Sequence, residues 1–346
     1  MIKYIGSKRV LVPRILELIG GLDGVRTVVD LFSGTSRVGH ALKRAGYSVH
    51  ANDLLAYAST LATCYVETDR EDVENDARLL IDEFNRLPGE PGYVHATFAI
   101  ASRYFREENA ARIDAVRAAI AQKHLDRRLE AVCLTSLLEA ADRVDSTTGV
   151  QMAYLKDWAP RAQRPLELRM PAVLAGRGRT CTARRGEAVD AARELDADLF
   201  YLDPPYNQHS YLGNYHVWET IVLGDEPEHY GKACKRVDCK ERKSAFNRKT
   251  TAAAALEEVL GAIRSRYVIV SFNDEGFLSD DTLRGLLEPL GSVHVVSAGQ
   301  ARYVGARIGV YNPSGEKVGQ VGRLRNEERI YVVDRHADRL QSLALS

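Results

Sequence analysis

The stretch Asp198-Leu199-Phe200-Tyr201-Leu202-Asp203-Pro204-Pro205-Tyr206 decides how the rest of the chain is interpreted. Residues 199 to 202 are apolar and favour a β-strand. The strand must end at the two prolines, because neither has an N–H group to donate within a central sheet. In an open parallel sheet, ligands bind outside the carboxyl ends of the strands. We therefore expect residues 203 to 206 to face a ligand crevice.

The four residues after this strand suit a planar amine as ligand. The lone pair of an exocyclic amine on a nucleobase is delocalised into the ring, so the amine is a poor nucleophile. If Asp203 accepts one N–H and the rigid carbonyl of Pro204 accepts the other, the lone pair is biased towards an electrophile. Tyr206 offers a face for stacking, and a base from duplex DNA must flip out to reach it. The candidate catalytic residues are Asp203, Pro204, Pro205 and Tyr206, and a plain proline turn is the alternative interpretation.

The composition is typical of a soluble globular protein, with 346 residues, 45% of them hydrophobic and 27% charged. The sequence has no apolar run of about eighteen residues and no signal-peptide pattern, so we expect a cytoplasmic protein without a membrane partner. The five cysteines are scattered, as in a reducing compartment. Cys234, Cys239 and His229 match no standard zinc spacing, and we expect no metal.

Two strand-and-turn units precede the stretch quoted above. Residues 27 to 39 predict a buried strand, a tight turn at Gly34 and the start of a helix. A second strand ends at Asp53, at the distance from the glycine turn where a Rossmann-type fold binds ribose hydroxyls. The full Gly-x-Gly-x-x-Gly pattern is missing, which favours a nucleoside ligand without a pyrophosphate. The N-terminal run, residues 3 to 9, places glycine and serine between cations and suits an anionic group such as a carboxylate.

The pattern changes in the middle of the chain and then returns. Residues 54 to 146 predict long amphipathic helices that interrupt the alternation of strands and helices. We predict a catalytic domain formed by residues 1–53 and 180–346, with residues 54–179 as a helical insertion. The later elements predicted are helices at 252–264 and 281–290, strands at 267–272 and 293–296, and a strand pair at 303–311 and 329–334 around a turn at 312–315.

Two basic clusters bracket the proline turn. Each alone is typical of a solvated surface. Together, in a chain whose formal net charge is zero, they predict a groove for a phosphate backbone. The residues that we expect to contact DNA are Arg161, Arg164, Arg169, Lys235, Arg236, Lys240, Arg242 and Lys243.

Three separated pieces of the sequence, in this order, resemble the D12 class of adenine-specific DNA methyltransferases. They are Lys3-Tyr4-x-Gly6-Ser7-Lys8, Asp30-Leu31-Phe32-Ser33-Gly34 and Asp203-Pro204-Pro205-Tyr206. In this Dam-like α group the target-recognition region lies between the cofactor turn and the catalytic turn, which implies that role for residues 54–179. The continuation through residues 207–211 and 215–219 is most similar to the methylases that accompany FokI-type restriction enzymes. The fold that the resemblance implies is α/β, with a Rossmann-like methyltransferase sheet and a mostly helical inserted lobe.

The resemblance also implies a cofactor, S-adenosylmethionine, and the residues that hold it. These are Lys3, Tyr4, Gly6, Ser7 and Lys8 around the methionine end, Asp30, Phe32, Ser33 and Gly34 at the cofactor turn, Asp53 at the ribose, and Glu187 near the adenine ring. Asp190 is the alternative to Glu187, because relatives often have an aspartate there. Ser36 stands where relatives often have glycine. The leading Asp203 implies adenine, since cytosine-N4 enzymes often begin the quartet with serine.

The implied activity is site-specific transfer of a methyl group to N6 of a flipped adenine in duplex DNA, EC 2.1.1.72, by direct displacement. Double-stranded DNA is the implied partner, and a cognate restriction endonuclease is a candidate partner in a restriction-modification setting. Other substrates with a planar amine stay open at this point, namely adenine in RNA and a protein amide nitrogen. A non-catalytic DNA-binding relative that kept a nucleoside pocket is a further alternative.

Overall fold

The strands of the structure, a computed structural model that describes residues 1–155, 157–301 and 325–336, form one large sheet and one small ribbon. They are β1 (Thr27–Asp30), β2 (Ser48–Asp53), β3 (Thr182–Arg185), β4 (Leu199–Leu202), β5 (His229–Tyr230), β6 (Lys235–Arg236), β7 (Tyr267–Asn273), β8 (Ser292–Ala301) and β9 (Arg325–Asp334). The large sheet has the order β3-β2-β1-β4-β7-β9-β8. Within it β9 runs antiparallel to both of its neighbours, and the other pairs are parallel.

The strand order reverses between β1 and β4, which pair directly. A reversal of this kind opens a crevice outside the carboxyl ends of the two strands, and ligands of open α/β sheets bind there. Asp30 ends β1, and Asp203 follows β4 at the same edge. The sheet therefore brings two of the acids predicted from the sequence to one crevice.

The described part of the chain contains twelve α-helices. They are α1 (Val12–Gly20), α2 (Arg37–Ala45), α3 (Ala56–Ala62), α4 (Arg70–Arg86), α5 (Tyr93–His95), α6 (Glu107–Gln122), α7 (Arg127–Val144), α8 (Ala188–Glu194), α9 (Tyr211–Asn214), α10 (His216–Leu223), α11 (Ala252–Ala262) and α12 (Asp280–Leu287). One-turn π-helical segments, Thr63–Glu67 and Ala96–Ala101, extend α3 and α5. The predicted Rossmann-like α/β class is confirmed. None of the described helices combines the length and the apolar composition that a membrane-spanning helix needs.

The two faces of the sheet are covered by different helices because side chains alternate along each strand. On one face, Phe200 and Leu202 of β4 pack in a core with α8, α11 and α12. On the other, Leu199 and Tyr201 pack in a core with α1 and α2. All four side chains of β4 are buried, as expected for the central strand of a covered parallel sheet.

The predicted helical block from residue 54 contains α3 to α7, which pack around a third apolar core. Tyr215 and Trp218, from the helical segment that follows the proline turn, are buried in the same core. These helices thus share their interior with chain from beyond residue 180. The division into 1–53 with 180–346 and 54–179 stays a prediction.

Most later elements lie close to where the sequence predicts them. The helix predicted at 252–264 ends at residue 262, and the strand predicted at 293–296 extends to residue 301. The strand predicted at 329–334 is the second part of β9. The strand predicted at 303–311 and the turn at 312–315 lie outside the described residues.

Candidate active site

A cavity of about 1070 Å³, measured out to its open mouth, lies at the carboxyl ends of β1, β2 and β4. Most of the residues predicted for catalysis and cofactor binding line it, although they come from five separate parts of the chain. They are Tyr4, Gly6, Ser7, Lys8, Asp30, Phe32, Ser33, Gly34, Asp53, Glu187, Asp203 and Pro205. Lys3, Pro204 and Tyr206 are not part of its lining.

The turn after β1 is fixed by the buried carboxylate of Asp30. Its Oδ2 accepts hydrogen bonds from the Gly39 N–H at 3.0 Å and from the Ser33 hydroxyl at 3.3 Å. The Gly39 N–H is in the first turn of α2 and has no partner within the helix, so the acid satisfies it. A Cβ on Gly39 would lie 3.0 Å from the same carboxylate oxygen, so a larger residue at this position would crowd Asp30. Burial raises the pKa of Asp30 to about 7.

Ser36 adopts a left-handed backbone conformation, with φ of 60°, immediately before α2. This conformation favours glycine, the residue that the family resemblance leads us to expect at this position. The hydroxyl oxygens of Ser33 and Ser36 lie 3.2 Å apart in a hydrogen bond, and Ser36 is fully buried. The departure from glycine is therefore accommodated by a local hydrogen bond.

Asp53 connects two backbone turns at the wall of the cavity. Its Oδ2 accepts from the Gly34 N–H at 2.8 Å, and its Oδ1 accepts from the Leu55 N–H at 3.0 Å. Burial raises the pKa of Asp53 to about 6. A carboxylate has roughly four lone-pair sites, so two hydrogen bonds leave it able to accept more.

The N-terminal segment enters the cavity through a stack of tyrosines. The ring of Tyr4 lies between Tyr211 and Tyr215, with centroid distances of 5.1 Å and 4.5 Å and interplanar angles of 5° and 16°. The Ile5 N–H donates to the Tyr215 hydroxyl at 2.6 Å. Gly6 has φ of 72°, and a Cβ there would lie 3.0 Å from the Tyr211 hydroxyl. Tyr211 and Tyr215 are site residues that the sequence did not predict; their spacing of four after the proline turn was the available signal.

Lys3 and Lys8, both predicted for the methionine end of a cofactor, are held by acids of the protein. The Lys3 ammonium donates to Asp145 Oδ1 at 2.8 Å, and its backbone N–H donates to Asp142 Oδ2 at 3.0 Å. The Lys8 ammonium lies 2.9 Å from Asp203 Oδ1. Lys3 is therefore anchored at the end of α7, whereas Lys8 is anchored at the end of β4.

Lys8 also forms an ion pair with Glu328 of β9, and the side chains of both residues are at least 95% buried. Burial lowers the pKa of Lys8, but the carboxylates of Asp203 and Glu328 outweigh it, so this pKa lies well above its ordinary value. Burial raises the pKa of Asp203, Lys8 lowers it, and Glu328 raises it, with a net increase. Lys8 thus stays charged beside Asp203 Oδ1, which leaves Oδ2 as the atom able to accept an N–H from a ligand.

Pro204 and Tyr206, which follow Asp203 in the turn after β4, are held by packing and by a backbone hydrogen bond. Pro204 is buried, and the Tyr206 carbonyl accepts the Phe277 N–H at 2.8 Å. The ring of Tyr206 lies 5.9 Å from that of Phe272, with an interplanar angle of 60°. Burial raises the pKa of Tyr206 to about 12, so the phenol stays neutral.

At the far end of the cavity, acidic and aromatic side chains face the same space. Glu187, two residues after β3, is exposed and lines the cavity, whereas the equally exposed Asp190 is not part of the lining and lies 3.4 Å from Arg193. Phe246 also lines it and meets Phe32 edge to face, with centroids 5.3 Å apart. Nothing in the sequence around Phe246 distinguishes it from the surrounding basic residues, so its position was not predicted.

The predicted DNA-contacting residues fall into two groups. Three residues that are not fully exposed are held by acids of the protein: Arg236 is 4% exposed and pairs with Asp225 and Asp238, Arg242 lines the cavity and pairs with Glu219 and Asp238, and Arg161 pairs with Asp145. Arg164, Arg169, Lys240 and Lys243 are exposed, and Lys235 is half-buried. Among the exposed cations, Arg169 pairs with Glu167 at 2.6 Å, whereas Arg164, Lys240 and Lys243 can reach a phosphate backbone without breaking an ion pair within the described part of the chain.

Comparison with known proteins places the chain among DNA-modifying enzymes. The model of a family described as D12 class N6 adenine-specific DNA methyltransferase matches residues 4–279. Type II methyltransferase M.NlaIII of Neisseria lactamica is 29% identical over 312 residues, which cover 87% of this chain and 92% of that protein. Type II methyltransferase M.FokI of Planomicrobium okeanokoites is 31% identical over 312 residues, covering 84% and 47%. Modification methylase StsI of Streptococcus sanguinis is 28% identical over 304 residues, covering 83% and 46%. The chain thus spans about half the length of the latter two proteins.

Proposed function

Because the chain belongs to the family of D12 class N6 adenine-specific DNA methyltransferases, we propose that it methylates N6 of adenine at a specific site in duplex DNA, EC 2.1.1.72. The names of its relatives, type II methyltransferase and modification methylase, support a restriction-modification setting with a cognate endonuclease as partner. The observation that carries the proposal is the placement of Asp203. Lys8 holds one carboxylate oxygen at the wall of a cavity that extends to Asp53 and Phe32.

The residues of this cavity fit S-adenosylmethionine as the methyl donor, which supplies an electrophilic methyl group on a sulfonium. Two buried polar atoms at or beside its wall, Ser7 Oγ and Asn52 Oδ1, have no hydrogen-bond partner among the described residues. Buried polar groups without a partner are costly, and a bound ligand would satisfy them. Asp53 would accept from ribose hydroxyls, and Phe32 and Glu187 would contact the adenine ring. The N-terminal segment through Ser7 would enclose the methionine end.

The chain's own residues would orient the target amine. Asp203 Oδ2 and the Pro204 carbonyl would each accept one hydrogen of N6, which directs the lone pair towards the methyl group. Direct displacement in this arrangement would form the new N–C bond while the bond from the methyl carbon to the donor sulfur breaks. No base is needed before this step, because the methylated amine is itself a strong acid and loses its proton afterwards.

DNA recognition requires that the adenine leave the duplex. Tyr206 would stack on the flipped base, and exposed cations such as Lys240 and Lys243 would contact backbone phosphates. Phosphate contacts set the position of the protein but carry no sequence information. We propose that residues 54–179 contain the elements that read the bases.

The proposal is tested by incubating the protein with labelled S-adenosylmethionine and unmethylated duplex DNA of mixed sequence, followed by nucleoside digestion and mass analysis. We expect N6-methyladenine from the wild type. We expect none from Asp203→Ala, which should still bind the cofactor. Asp196→Ala, an exposed aspartate before β4, is the matched control and should retain activity. Label in RNA or protein but not in DNA would contradict the proposal, as would an active Asp203→Ala variant.

A further inference from the structure

Glu328 of β9 is a buried acid close to the quartet that the mechanism above does not use. Its side chain is 1% exposed, and it pairs with the Lys8 ammonium. Its Oε1 accepts from the Ser271 hydroxyl at 2.8 Å, and its Oε2 accepts from the Asn273 amide at 3.2 Å. Both donors belong to β7, and Asn273 is the register partner of Glu328. The sheet itself therefore fixes the orientation of this carboxylate.

The charges around Lys8 do not cancel. One ammonium lies between two carboxylates, those of Asp203 and Glu328. An ammonium paired with Asp203 alone would neutralise the group that must attract the amine hydrogens. A second acid shares the ammonium and leaves negative charge on Asp203. This arrangement suits a reaction in which positive charge passes from a sulfonium to the amine that Asp203 holds.

We propose that Glu328 is a positioning residue for methyl transfer, acting through Lys8 to hold Asp203 Oδ1 and to offset the ammonium charge, so that the pair of carboxylates around Lys8 presents a net negative charge to the amine. This inference rests on the proposed function, since it concerns the same amine. Glu328 lies 125 residues beyond Asp203 in the chain, in a segment that the family match, residues 4–279, does not include. The antiparallel strand β9 thus contributes to a site otherwise built from the parallel part of the sheet.

The main test is Glu328→Gln, which keeps the size of the side chain and removes its charge. We expect kcat to fall about tenfold or more, while the Kd for S-adenosylmethionine changes by less than about threefold. Removing a negative charge near Asp203 lowers the pKa of its carboxyl. In a plot of kcat against pH, the fall in kcat on the acid side (the acid limb) should therefore move to lower pH. Glu328→Asp keeps the charge and should restore the position of this limb. Glu327→Gln, a half-exposed neighbour on the same strand, is the matched control and should change neither quantity.

Two further measurements keep the inference testable if Glu328→Gln does not fold or if the substrate is misassigned. Ser271→Ala removes a donor that orients Glu328 but keeps the charge of Glu328, so it should lower kcat by less than Glu328→Gln does, without moving the acid limb of the pH profile to lower pH. The Asp203 carboxyl can be titrated by carbon NMR in wild type and variants, with Asp203→Asn for assignment, and this reading needs no substrate. An unchanged Asp203 titration and an unchanged kcat would overturn the inference. A wild type without DNA methylation but with the expected titration shift would refute only the proposed function.

Discussion

The hydroxyl of Tyr215 accepts the backbone N–H of Ile5 at 2.6 Å while its ring stacks 4.5 Å from that of Tyr4. One side chain thus holds the N-terminal segment through both its polar and its apolar parts. The segment continues into Gly6, Ser7 and Lys8, which line the cavity. Any loss of this attachment should be transmitted to the cofactor site.

Tyr215→Phe tests this attachment. The variant keeps the stack but leaves the Ile5 N–H without its acceptor, and an unsatisfied buried donor costs about 1–3 kcal/mol. We expect a loss of that size in the free energy of unfolding, together with weaker binding of S-adenosylmethionine, measured by urea denaturation and calorimetry. Tyr47→Phe, immediately before β2 and not part of the cavity lining, should change neither. Unaltered cofactor binding in Tyr215→Phe would show that the segment is held by other contacts.

Gly6→Ala should be destabilising because of its backbone conformation. A φ of 72° costs an L-residue about 1–2 kcal/mol, and the new Cβ would also meet the Tyr211 hydroxyl at 3.0 Å. The matched control is Gly261→Ala in α11, where a Cβ would meet open space. Alanine is favoured over glycine in a helix, so this change should stabilise by about 0.5–1 kcal/mol. Thermal unfolding of the two variants should therefore shift in opposite directions.

Stability should depend on pH through Asp30. Burial raises its folded-state pKa to about 7, above the unfolded value, so the folded protein binds a proton more readily and gains stability as pH falls from 7. Asp30→Asn cannot take up this proton. Between pH 8 and pH 5 the free energy of unfolding of the wild type should rise relative to the variant by about 2–3 kcal/mol. If the urea denaturation midpoints of the wild type and Asp30→Asn changed by the same amount between pH 8 and pH 5, the raised pKa of Asp30 would be contradicted.

The exposed lysines should determine the salt dependence of DNA binding. Replacing Lys240 and Lys243 by glutamine should reduce the slope of log K against log salt by about 0.9 for each phosphate that a lysine no longer neutralises. Arg14→Gln, a half-exposed cation on α1 outside residues 54–179, is the control and should leave the slope unchanged. Arg236→Gln should instead lower the free energy of unfolding, because it removes the ion pair of Asp225 with Arg236 and leaves Asp238 with Arg242 alone. If the slope is unchanged in the lysine variants, Lys240 and Lys243 do not contact phosphates and are ordinary solvated surface residues.

The sequence predicts those parts of the fold that are governed by local chemistry. The strand at 199–202 and its end before Pro204 follow from side-chain pattern and proline geometry, and Asp53 follows from its spacing to Gly34. Glu328 and Phe246 could not be found in this way, because only the tertiary fold brings them beside Lys8 and Phe32. The same limit applies to Arg236. A run of basic residues shows charge but not the acids that the fold places against it.

The short distance along the chain between Lys3 and Lys8 has a mechanical consequence. Lys3 forms hydrogen bonds with Asp142 and Asp145 at the end of α7, and Lys8 forms an ion pair with Asp203, which follows β4. Five residue steps of extended chain reach at most about 17 Å. The N-terminal segment is therefore a tether that limits how far α7 can withdraw from the reacting amine before an ion pair must break.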